Sequence, residues 1–347
     1  MAHLRGWPFF RAPVIAGVLF CASCRLVSCE RESTPAWHET TSSVVAETTT
    51  VLSSEPETVQ ANEPVASFTN QPAGTGFRFI SYNVHNWLLM DRRVDDRNLK
   101  HAPKPESERA VVISLLADQK PDIIGLCEIG TAGDLAEIQA SLKAAGIDLP
   151  HLHFTGGTDE TRHLGLISRF PITSTAKPKA TTFKLNGMTY GINRGILDAT
   201  LSIDGNSFRF LGVHLKSKRT VEGIDQEQMR IHEAKLLRRH VDSILQTNPR
   251  ARLVVYGDFN DTRPTSAIRS ITGGYTDENY LTAIPFRDAA GTAWTHHWQP
   301  HDIYSRIDFV FVSRELRRSV DFKNSRIIDD ARWDQASDHR PLLAIFR

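Results

Sequence analysis

Short apolar runs with the composition of β-strands recur from Phe77 to the end of the chain, and helical patterns separate them. The strand-like runs occupy residues 77–82, 122–128, 164–168, 192–201, 208–214, 253–256, 309–312 and 342–346. Apolar residues recur at helical spacing over 107–119, 134–145 and 226–246. So many strands mixed with helices favour two packed sheets clad by helices over a single doubly wound sheet. The predicted fold class is therefore mixed α/β.

Polar residues stand where several of these runs end. Asn83, Glu128 and His214 each end or follow a strand-like run. Asp258 and Asn260 lie at alternate positions after another run, so both side chains can face the same side. Hydrolysis of a phosphate ester needs an activated water, neutralised phosphate oxygens and help for the leaving oxygen. Carboxylates, amides and imidazoles supply these functions, so the pattern predicts metal-assisted hydrolysis of a phosphate ester.

Each of these residues also has an ordinary structural interpretation. An acid at a strand end, such as Glu128, is often only solvated, although the apolar run before it gives little reason for a carboxylate there. Asn83 and the segment from Asp258 to Asn260, taken alone, are typical of turns. The chemical interpretation therefore depends on the motifs occurring together.

Two further motifs lie toward the C-terminus. Asp308 immediately precedes the run at 309–312, and Asp338 and His339 precede the last run. Imidazole titrates near neutral pH, so His339 is the strongest candidate for acid–base work.

The motifs occur in the order of one known family. They are Ser81-Tyr82-Asn83-Val84, Gly125-Leu126-Cys127-Glu128, Gly165-Leu166-Ile167-Ser168-Arg169-Phe170-Pro171-Ile172, Val213-His214-Leu215, Gly257-Asp258-Phe259-Asn260, Arg306-Ile307-Asp308-Phe309-Val310-Phe311-Val312-Ser313 and Ser337-Asp338-His339. The chain resembles the endonuclease/exonuclease/phosphatase superfamily, the deoxyribonuclease I-like group, as an exported bacterial member. The resemblance implies a four-layer α/β/β/α sandwich of two mixed β-sheets flanked by helices, with strand ends and loops meeting at one edge.

The resemblance also implies a metal centre and its ligands. Glu128 is the first expected ligand of a Mg²⁺ ion, for which Mn²⁺ is an alternative. Asn83 is expected to support both the metal and the phosphate, and Asp338 to bind the same ion or a second one. His85 stands where some nuclease members carry an aspartate, which leaves a ligand from that position in doubt.

The implied catalytic residues are His214, Asp258, Asn260, Asp308 and His339. Asp258 is expected to orient or deprotonate the water, and Asn260 to fix the phosphate. Asp308 is expected to orient His339 and raise its basicity. His214 is expected to contact the phosphate or assist the leaving group.

Cationic residues close to these motifs are candidates for substrate binding. Lys216 and Lys218 follow His214 directly, and Arg194 lies in Asn193-Arg194-Gly195. Such cations can clamp a phosphate, but a solvated surface explains a charge cluster equally well.

Two other groups of residues have mainly structural interpretations. His296 and His297 are adjacent, and adjacent strand residues point to opposite faces, so a shared ion is not expected. Trp294 and Trp298 beside them fit packing or a substrate wall. Cys127, without a cysteine partner in its domain, is expected to be a small buried apolar residue.

The first 75 residues differ from the rest in composition. Residues 1–29 have the basic start and short apolar core of a signal peptide. Residues 30–75 are rich in Ser, Thr, Glu and Pro, with one arginine against seven glutamates, which predicts a disordered linker. The catalytic domain is expected to span 76–347 and is only mildly basic, so it does not have the charge of a DNA-coating protein.

The end of the leader has the order of a bacterial lipoprotein signal. Leu26-Val27-Ser28-Cys29 fits that pattern, although Arg25 interrupts the apolar approach and Cys24 is a rival anchor. An ordinary cleaved signal is the alternative. The expected location is outside the cytoplasm, as a periplasmic or outer-membrane lipoprotein or a secreted protein.

Three functions remain open from the sequence. The first is an exported nuclease or general phosphodiesterase that acts on nucleic acid or a small diester. The second is a phosphatase or sphingomyelinase-like phospholipase acting on lipid head groups, for which the sequence offers no long apolar hairpin. The third is an inactive binding module, against which the complete polar set argues. A monomer is expected, with membrane contact only through the N-terminal lipid anchor.

Overall fold

Two six-stranded sheets form the centre of the structure, a computed structural model that describes residues 76–94, 96–220 and 222–347. The predicted signal peptide at 1–29 and linker at 30–75 lie outside the described residues.

The strands of the described residues, in chain order, are β1 (Phe77–Trp87), β2 (Met90–Val94), β3 (Arg97–Ala102), β4 (Ile123–Ile129), β5 (His151–Thr155), β6 (His163–Ser168), β7 (Ile172–Thr175), β8 (Thr182–Leu185), β9 (Met188–Gly191), β10 (Ile196–Ile203), β11 (Asn206–His214), β12 (Arg252–Asp258), β13 (Thr282–Ala283), β14 (His296–Trp298), β15 (Ile303–Ser305), β16 (Asp308–Val312), β17 (Arg326–Ile327) and β18 (Leu342–Phe346).

The helices are α1 (Glu106–Ala117), α2 (Ala132–Ala144), α3 (Gln226–Thr247), α4 (Ser266–Thr272) and α5 (Trp333–Ala336). Thr131 starts α2 with a capping box that includes Asp134, and the Asp225 side chain caps α3. No helix in the described segments is both long and apolar enough to cross a bilayer.

The strand order places parallel pairs at the centre of each sheet. The first sheet runs β17-β18-β1-β4-β6-β5, and the second runs β13-β16-β12-β11-β10-β7. β1 pairs with β4 in parallel, and β11 pairs with β12 in parallel, whereas the other pairs in these sheets are antiparallel. Both sheets are therefore mixed, as predicted.

Three apolar layers hold the sandwich together. Phe79 of the first sheet packs against Phe210 of the second, with ring centroids 5.2 Å apart, in the layer between the sheets. Leu116 and Leu135 cover the outer face of the first sheet from α1 and α2. Leu237 and its neighbours on α3 cover the outer face of the second sheet. The order of layers is thus α/β/β/α, which confirms the predicted fold.

The parallel pairs bring polar strand ends to one edge. The carboxyl ends of β1, β4, β11 and β12 meet there, because strands that pair in parallel end on the same side. β16 is antiparallel to β12, so its first residue, Asp308, pairs with Asp258 at the end of β12. His214, the last residue of β11, pairs with Asp258 from the other side. We refer to this side of the sandwich as the catalytic edge.

Element boundaries differ modestly from the sequence-based expectation. The strand predicted from residue 192 begins at Ile196, because Gly195 turns the chain with a φ of 77°. The strand predicted to end at Tyr256 continues to Asp258. The three two-stranded ribbons, β2–β3, β8–β9 and β14–β15, were not expected, since their exposed residues carry no clear apolar alternation.

Candidate active site

Backbone irregularities aim the side chains at the catalytic edge. The ladder between β4 and β6 shifts register at Glu128, whose φ of 68° lies in the left-handed region. That conformation costs on the order of 1 kcal/mol for a residue with a Cβ atom, and it is a common feature of functional sites. The bulge turns the Glu128 carboxylate out of the strand alternation and toward the second sheet.

A glycine permits the close approach of β11 and β12 beneath the site. Gly257 has a φ of 135°, and a Cβ atom there would lie 1.9 Å from the Val213 carbonyl oxygen. Any other residue would push the two strands apart. Gly257 therefore fixes the distance between His214 and Asp258.

A buried imidazole–carboxylate pair lies at the centre of the edge. The Nδ1 atom of His339 lies 2.8 Å from the Oδ2 atom of Asp308, and both residues are 4% exposed. Burial lowers the pKa of His339, but the charges of Asp308 and Asp258 outweigh it and raise that pKa well above its usual value. The Thr295 hydroxyl accepts a hydrogen bond of 3.1 Å from the backbone N–H of Asp308 and so holds it in place.

Asp258 lies between the imidazole rings of His339 and His214. Its Oδ2 atom lies 3.6 Å from His339 Nε2 and 3.5 Å from His214 Nε2. Burial raises the pKa of Asp258 to about 7; the charge of His339 opposes this, and that of Asp308 adds to it. A carboxyl group with such a pKa can accept a proton at neutral pH.

Asn83 connects the carboxylates of the two sheets. Its Nδ2 atom donates to Asp258 Oδ2 at 3.1 Å and to Glu128 Oε1 at 3.3 Å, and lies 3.4 Å from His339 Nε2. Its Oδ1 atom accepts the backbone N–H of His85 at 3.1 Å. The amide thus presents hydrogen-bond donors to the site; its expected role as a metal ligand stays a prediction.

His214 is a buried, neutral imidazole. Burial lowers its pKa well below the usual value, and the charges of Arg194, His339 and Arg162 lower it further. Its Nδ1 atom has no hydrogen-bond partner among the described residues. With Nε2 facing Asp258 and Glu128, at 3.9 Å from Glu128 Oε1, His214 can donate one hydrogen bond into the site.

The donor set fits a divalent cation. The carboxylates of Glu128, Asp258, Asp308 and Asp338 converge here: Asn83 contacts the first two, and His339 lies within 4 Å of the last three. Glu128 and Asp338 are partly exposed at 14% and 36%, and so remain accessible to an ion. Ligand atoms within 4.8 Å of one another occur in Asp258, Asp308 and His339, and in His296, Asp338 and His339. Carboxylate oxygens are the ligands that Mg²⁺ prefers.

Two further histidines flank Asp338. His296 Nε2 lies 3.7 Å from Asp338 Oδ2, and His85 Nδ1 lies 3.8 Å from Asp338 Oδ1. Burial raises the pKa of Asp338, but the neighbouring imidazoles of His296 and His339 outweigh it and lower that pKa below its usual value. His297 points away and lies 3.0 Å from Asp302, as the alternation argument predicted. His296, however, belongs to the site, which the sequence did not indicate.

Of the remaining residues singled out in the sequence, some lie at the site and others do not. Asn260 donates its backbone N–H to Asp258 at 2.8 Å and its amide to the Leu215 carbonyl at 3.0 Å. Lys218 points away from His339 and pairs with Asp261 at 3.2 Å. Cys127 is buried in the core as expected, and its thiol donates to the Val213 carbonyl at 3.4 Å.

Arg194 and Lys216 lie near His214, and the charge of Arg194 helps to lower the pKa of His214. Arg194 is 6% exposed and lies 3.1 Å from Asp159. Arg162, which the sequence analysis did not select, donates to the Asn86 side chain at 2.9 Å. Asn86 in turn donates its backbone N–H to Glu128 at 2.9 Å. In the sequence, Arg162 is simply a charged residue just before a strand, so no local motif could have identified it as part of the site.

Comparison with known proteins agrees with this architecture. The model of the Endonuclease/Exonuclease/phosphatase family matches residues 96–282. No curated protein matches the sequence. Solved structures of low sequence identity share the fold. They include truncated TDP2 of Caenorhabditis elegans, with a TM-score of 0.54 and 18% identity over 78% of this chain and 97% of that one.

Two others extend the comparison. The human Nocturnin catalytic domain with a bound sulfate anion has a TM-score of 0.55 and 19% identity, covering 78% of this chain and 94% of its own. An endonuclease/exonuclease/phosphatase from Bacteroides vulgatus has a TM-score of 0.53 and 20% identity, covering 79% of this chain and 99% of its own. The family match extends over more than half of the chain and is independent of these structures. The chain therefore belongs to the endonuclease/exonuclease/phosphatase family.

Proposed function

We propose that the protein is an exported, Mg²⁺-dependent hydrolase of phosphodiester bonds, acting as a nuclease or general phosphodiesterase. Its family consists of phosphoric ester hydrolases that depend on divalent metal ions. The observation that carries the proposal is the position of Asp258, whose carboxylate contacts Asn83, His214 and His339 at one buried point.

The residues divide the chemistry between them. Asp258, with a pKa of about 7, is suited to take a proton from the attacking water. His339, held by Asp308 and favouring its charged form, can stabilise the negative oxygens of the phosphate. His214 is neutral and can donate a hydrogen bond toward the leaving oxygen. A divalent ion held by Glu128 and Asp338 would neutralise charge on the phosphate.

Export and lipid anchoring belong to the same proposal. They rest on the apolar leader and on Cys29 and Cys24, which lie outside the described residues. An exported member would meet extracellular or periplasmic phosphate esters rather than chromosomal DNA.

The test is a comparison of substrates with the purified protein. Duplex DNA, RNA, sphingomyelin vesicles and bis(4-nitrophenyl) phosphate are each incubated with Mg²⁺ and with a chelator. We expect Mg²⁺-dependent cleavage of the small diester and of at least one nucleic acid. Asp258→Asn is the control for contaminating activity, because it keeps the size of the side chain and removes its charge. Absence of hydrolysis of every substrate would reject the proposal and favour an inactive binding module.

A lipid head-group substrate is the second candidate, because one observation favours it. The β14–β15 hairpin lies beside His339 and exposes Trp298, Ile303 and Tyr304 at 48%, 48% and 50%. Exposed aromatic and aliphatic side chains of this kind suit the interfacial region of a membrane. Trp298→Ala should then reduce hydrolysis of vesicles but not of a soluble diester. Tyr275→Ala, an aromatic residue 85% exposed elsewhere, is the matched control.

A further inference from the structure

A cluster of cationic side chains lies beside the catalytic centre, on the side of His214. It consists of Arg162, Arg194 and Lys216. Burial lowers the pKa of Lys216, and the charges of Arg194 and Arg162 lower it further. They come from three separate segments: the loop before β6, the turn before β10 and the loop after β11. The fold therefore gathers positive charge at this point from distant parts of the sequence.

Two loops approach closely to build this cluster. A Cβ atom on Gly157 would lie 2.2 Å from the Ile192 carbonyl oxygen, so only glycine allows the loop before β6 to pack on the turn before β10. The backbone N–H of Asp159 then donates to the Asn193 carbonyl at 2.7 Å. This contact fixes Arg162 and Arg194 on neighbouring segments.

The nearby carboxylates of Glu233 and Asp159 accept hydrogen bonds mainly from groups other than these three cations. The two oxygens of Glu233 accept backbone N–H groups, from Asn193 at 2.8 Å and Lys216 at 2.6 Å. The Oδ1 atom of Asp159 accepts from Thr161 and from the backbone N–H of Arg162. The Oδ2 atom of Asp159 faces the Arg194 guanidinium group.

Arg194 gives the strongest indication of an anion-binding site. Its Nε atom lies 3.1 Å from Asp159 Oδ2, but the direction of the N–H is too poor for a hydrogen bond. Within the described residues, its buried Nε and Nη1 atoms have no hydrogen-bond partner. The Lys216 ammonium likewise forms no ion pair with a described residue, although it is half-buried. Asp159 supplies one negative charge, but buried guanidinium donors that form no hydrogen bond are costly unless a further acceptor binds them.

The cluster lies beside the catalytic centre, and within the described residues none of its three cations forms an ion pair with Glu128, Asp258 or Asp338. Glu128 accepts the Asn86 backbone N–H, and the Asn86 side chain accepts from Arg162 Nε. Asn86 therefore links the two groups, binding the expected metal ligand through its backbone and the guanidinium through its side chain. A phosphate at the centre would leave the Nε and Nη1 donors of Arg194 available for another anion, together with the Arg162 donors that do not bind Asn86 or Thr161.

We propose that Arg162, Arg194 and Lys216 form a pocket for a second phosphate group of the same substrate, next to His214. Guanidinium groups bind phosphate oxygens through paired donors, and Lys216 adds a point charge. The inference rests on the proposed function and narrows its substrate to one with at least two phosphate groups. A nucleic acid chain and a phosphoanhydride both have this chemistry.

The test measures binding by calorimetry with the full chain in the presence of Mg²⁺. One pair of ligands is thymidine 5′-monophosphate and thymidine 3′,5′-bisphosphate; the other is adenosine mono- and diphosphate. The first pair reports a second phosphate across a sugar, and the second pair reports an anhydride. We expect tighter binding of the doubly phosphorylated member of at least one pair, by about tenfold or more.

Substitutions show whether the pocket is responsible. Arg162→Gln and Lys216→Gln should each reduce that preference toward one, whereas Arg239→Gln, on the exposed face of α3, should keep it. Equal binding of both members in both pairs would overturn the proposal, as would a preference that survives both substitutions. The melting temperature of each variant identifies loss of folding.

The same data separate this inference from the proposed function. A preference that depends on Arg162, in a protein that hydrolyses no phosphoester, would reject the function and support the pocket. Hydrolysis of a simple diester without any preference would support the function and reject the pocket.

Discussion

His339 and Asp308 form a hydrogen bond of 2.8 Å between Nδ1 and Oδ2, shielded from solvent at the catalytic edge. Because Nδ1 is engaged in this way, the ring presents Nε2 toward Asp258 and Asn83. A carboxylate behind an imidazole fixes the orientation of the ring and stabilises its charged form. The two residues should therefore act in catalysis as one unit.

The first prediction tests this unit with a double-mutant cycle. His339→Ala should lower kcat on a small phosphodiester by about 10²–10⁴-fold, because it removes a positioned imidazole. Asp308→Asn should lower it less, since it keeps a hydrogen-bonding side chain but removes the charge. The double variant should be about as slow as His339→Ala alone, because Asp308 acts through His339. Losses that multiply would show that Asp308 acts independently.

The second prediction concerns the metal. Activity should disappear in excess chelator and return with Mg²⁺ or Mn²⁺, because Glu128 and Asp338 offer oxygen ligands. Glu128→Gln should raise the Mg²⁺ concentration for half-maximal activity by about tenfold or more while changing the melting temperature little. Glu278→Gln, at an exposed position away from the catalytic edge, is the control. Full activity in excess chelator would rule out a metal mechanism.

The third prediction concerns stability and pH in the absence of metal. The pKa of Asp258 is raised to about 7 in the folded state, above its ordinary value of 3.8. The folded state then binds more protons than the unfolded state, so this contribution to stability is present at acid pH and is lost as pH rises toward 7. Asp258→Asn cannot ionise and should raise the melting temperature at pH 8, by about 2–4 °C per kcal/mol gained.

Thermal unfolding of the wild type and this variant, with chelator at pH 5 and pH 8, provides the measurement. The gain should be larger at pH 8 than at pH 5. If Asp258→Asn is no more stable than the wild type at pH 8, ionisation of the buried Asp258 carboxylate does not destabilise the folded state.

Much of the catalytic edge could be predicted from the sequence, for a physical reason. Glu128, His214 and Asp258 lie at or one residue before the ends of β4, β11 and β12, and parallel pairing takes these ends to one edge. Asn83 lies inside β1, where its ladder with β4 shifts register. Asn83 and Asp258 are hydrogen-bonded although they lie 175 residues apart. The strand-like apolar runs and the family resemblance together were enough to place them.

Loop conformation could not be predicted in the same way. His296 reaches Asp338 because the β14–β15 hairpin packs on the segment around His339. Arg162 reaches the site only because a loop of the first sheet packs on a turn of the second. These contacts depend on backbone turns and on packing between distant elements, which short motifs do not encode. Lys218, adjacent to the motif in sequence, is drawn away by Asp261.

The fourth prediction concerns the N-terminal segment. Removal of residues 1–75 should leave a folded, active protein, because the first core residue is Phe77, which is 2% exposed and stacks on Phe346 at 4.5 Å. The melting temperature and kcat of the shortened protein should equal those of the full chain. In cells, Cys29→Ala should abolish labelling by palmitate, whereas Cys24→Ala should retain it. Labelling that persists in both single variants would exclude either residue as the sole anchor.

The fifth prediction separates two adjacent histidines. His296 Nε2 lies 3.7 Å from Asp338 Oδ2, and its ring lies 4.6 Å from the His339 ring, whereas His297 stacks on Tyr304 at 4.2 Å. His296→Ala should remove the side chain that orients the Asp338 carboxylate. The Mg²⁺ concentration for half-maximal activity should therefore rise by about tenfold, as loss of a ligand's orienting partner typically causes. His297→Ala should leave that concentration within about twofold, because its contact with Asp338 is made by the backbone N–H, which the substitution keeps. Metal titrations of both variants on one diester provide the measurement, and equal shifts in the two would show that the hairpin acts only by its packing.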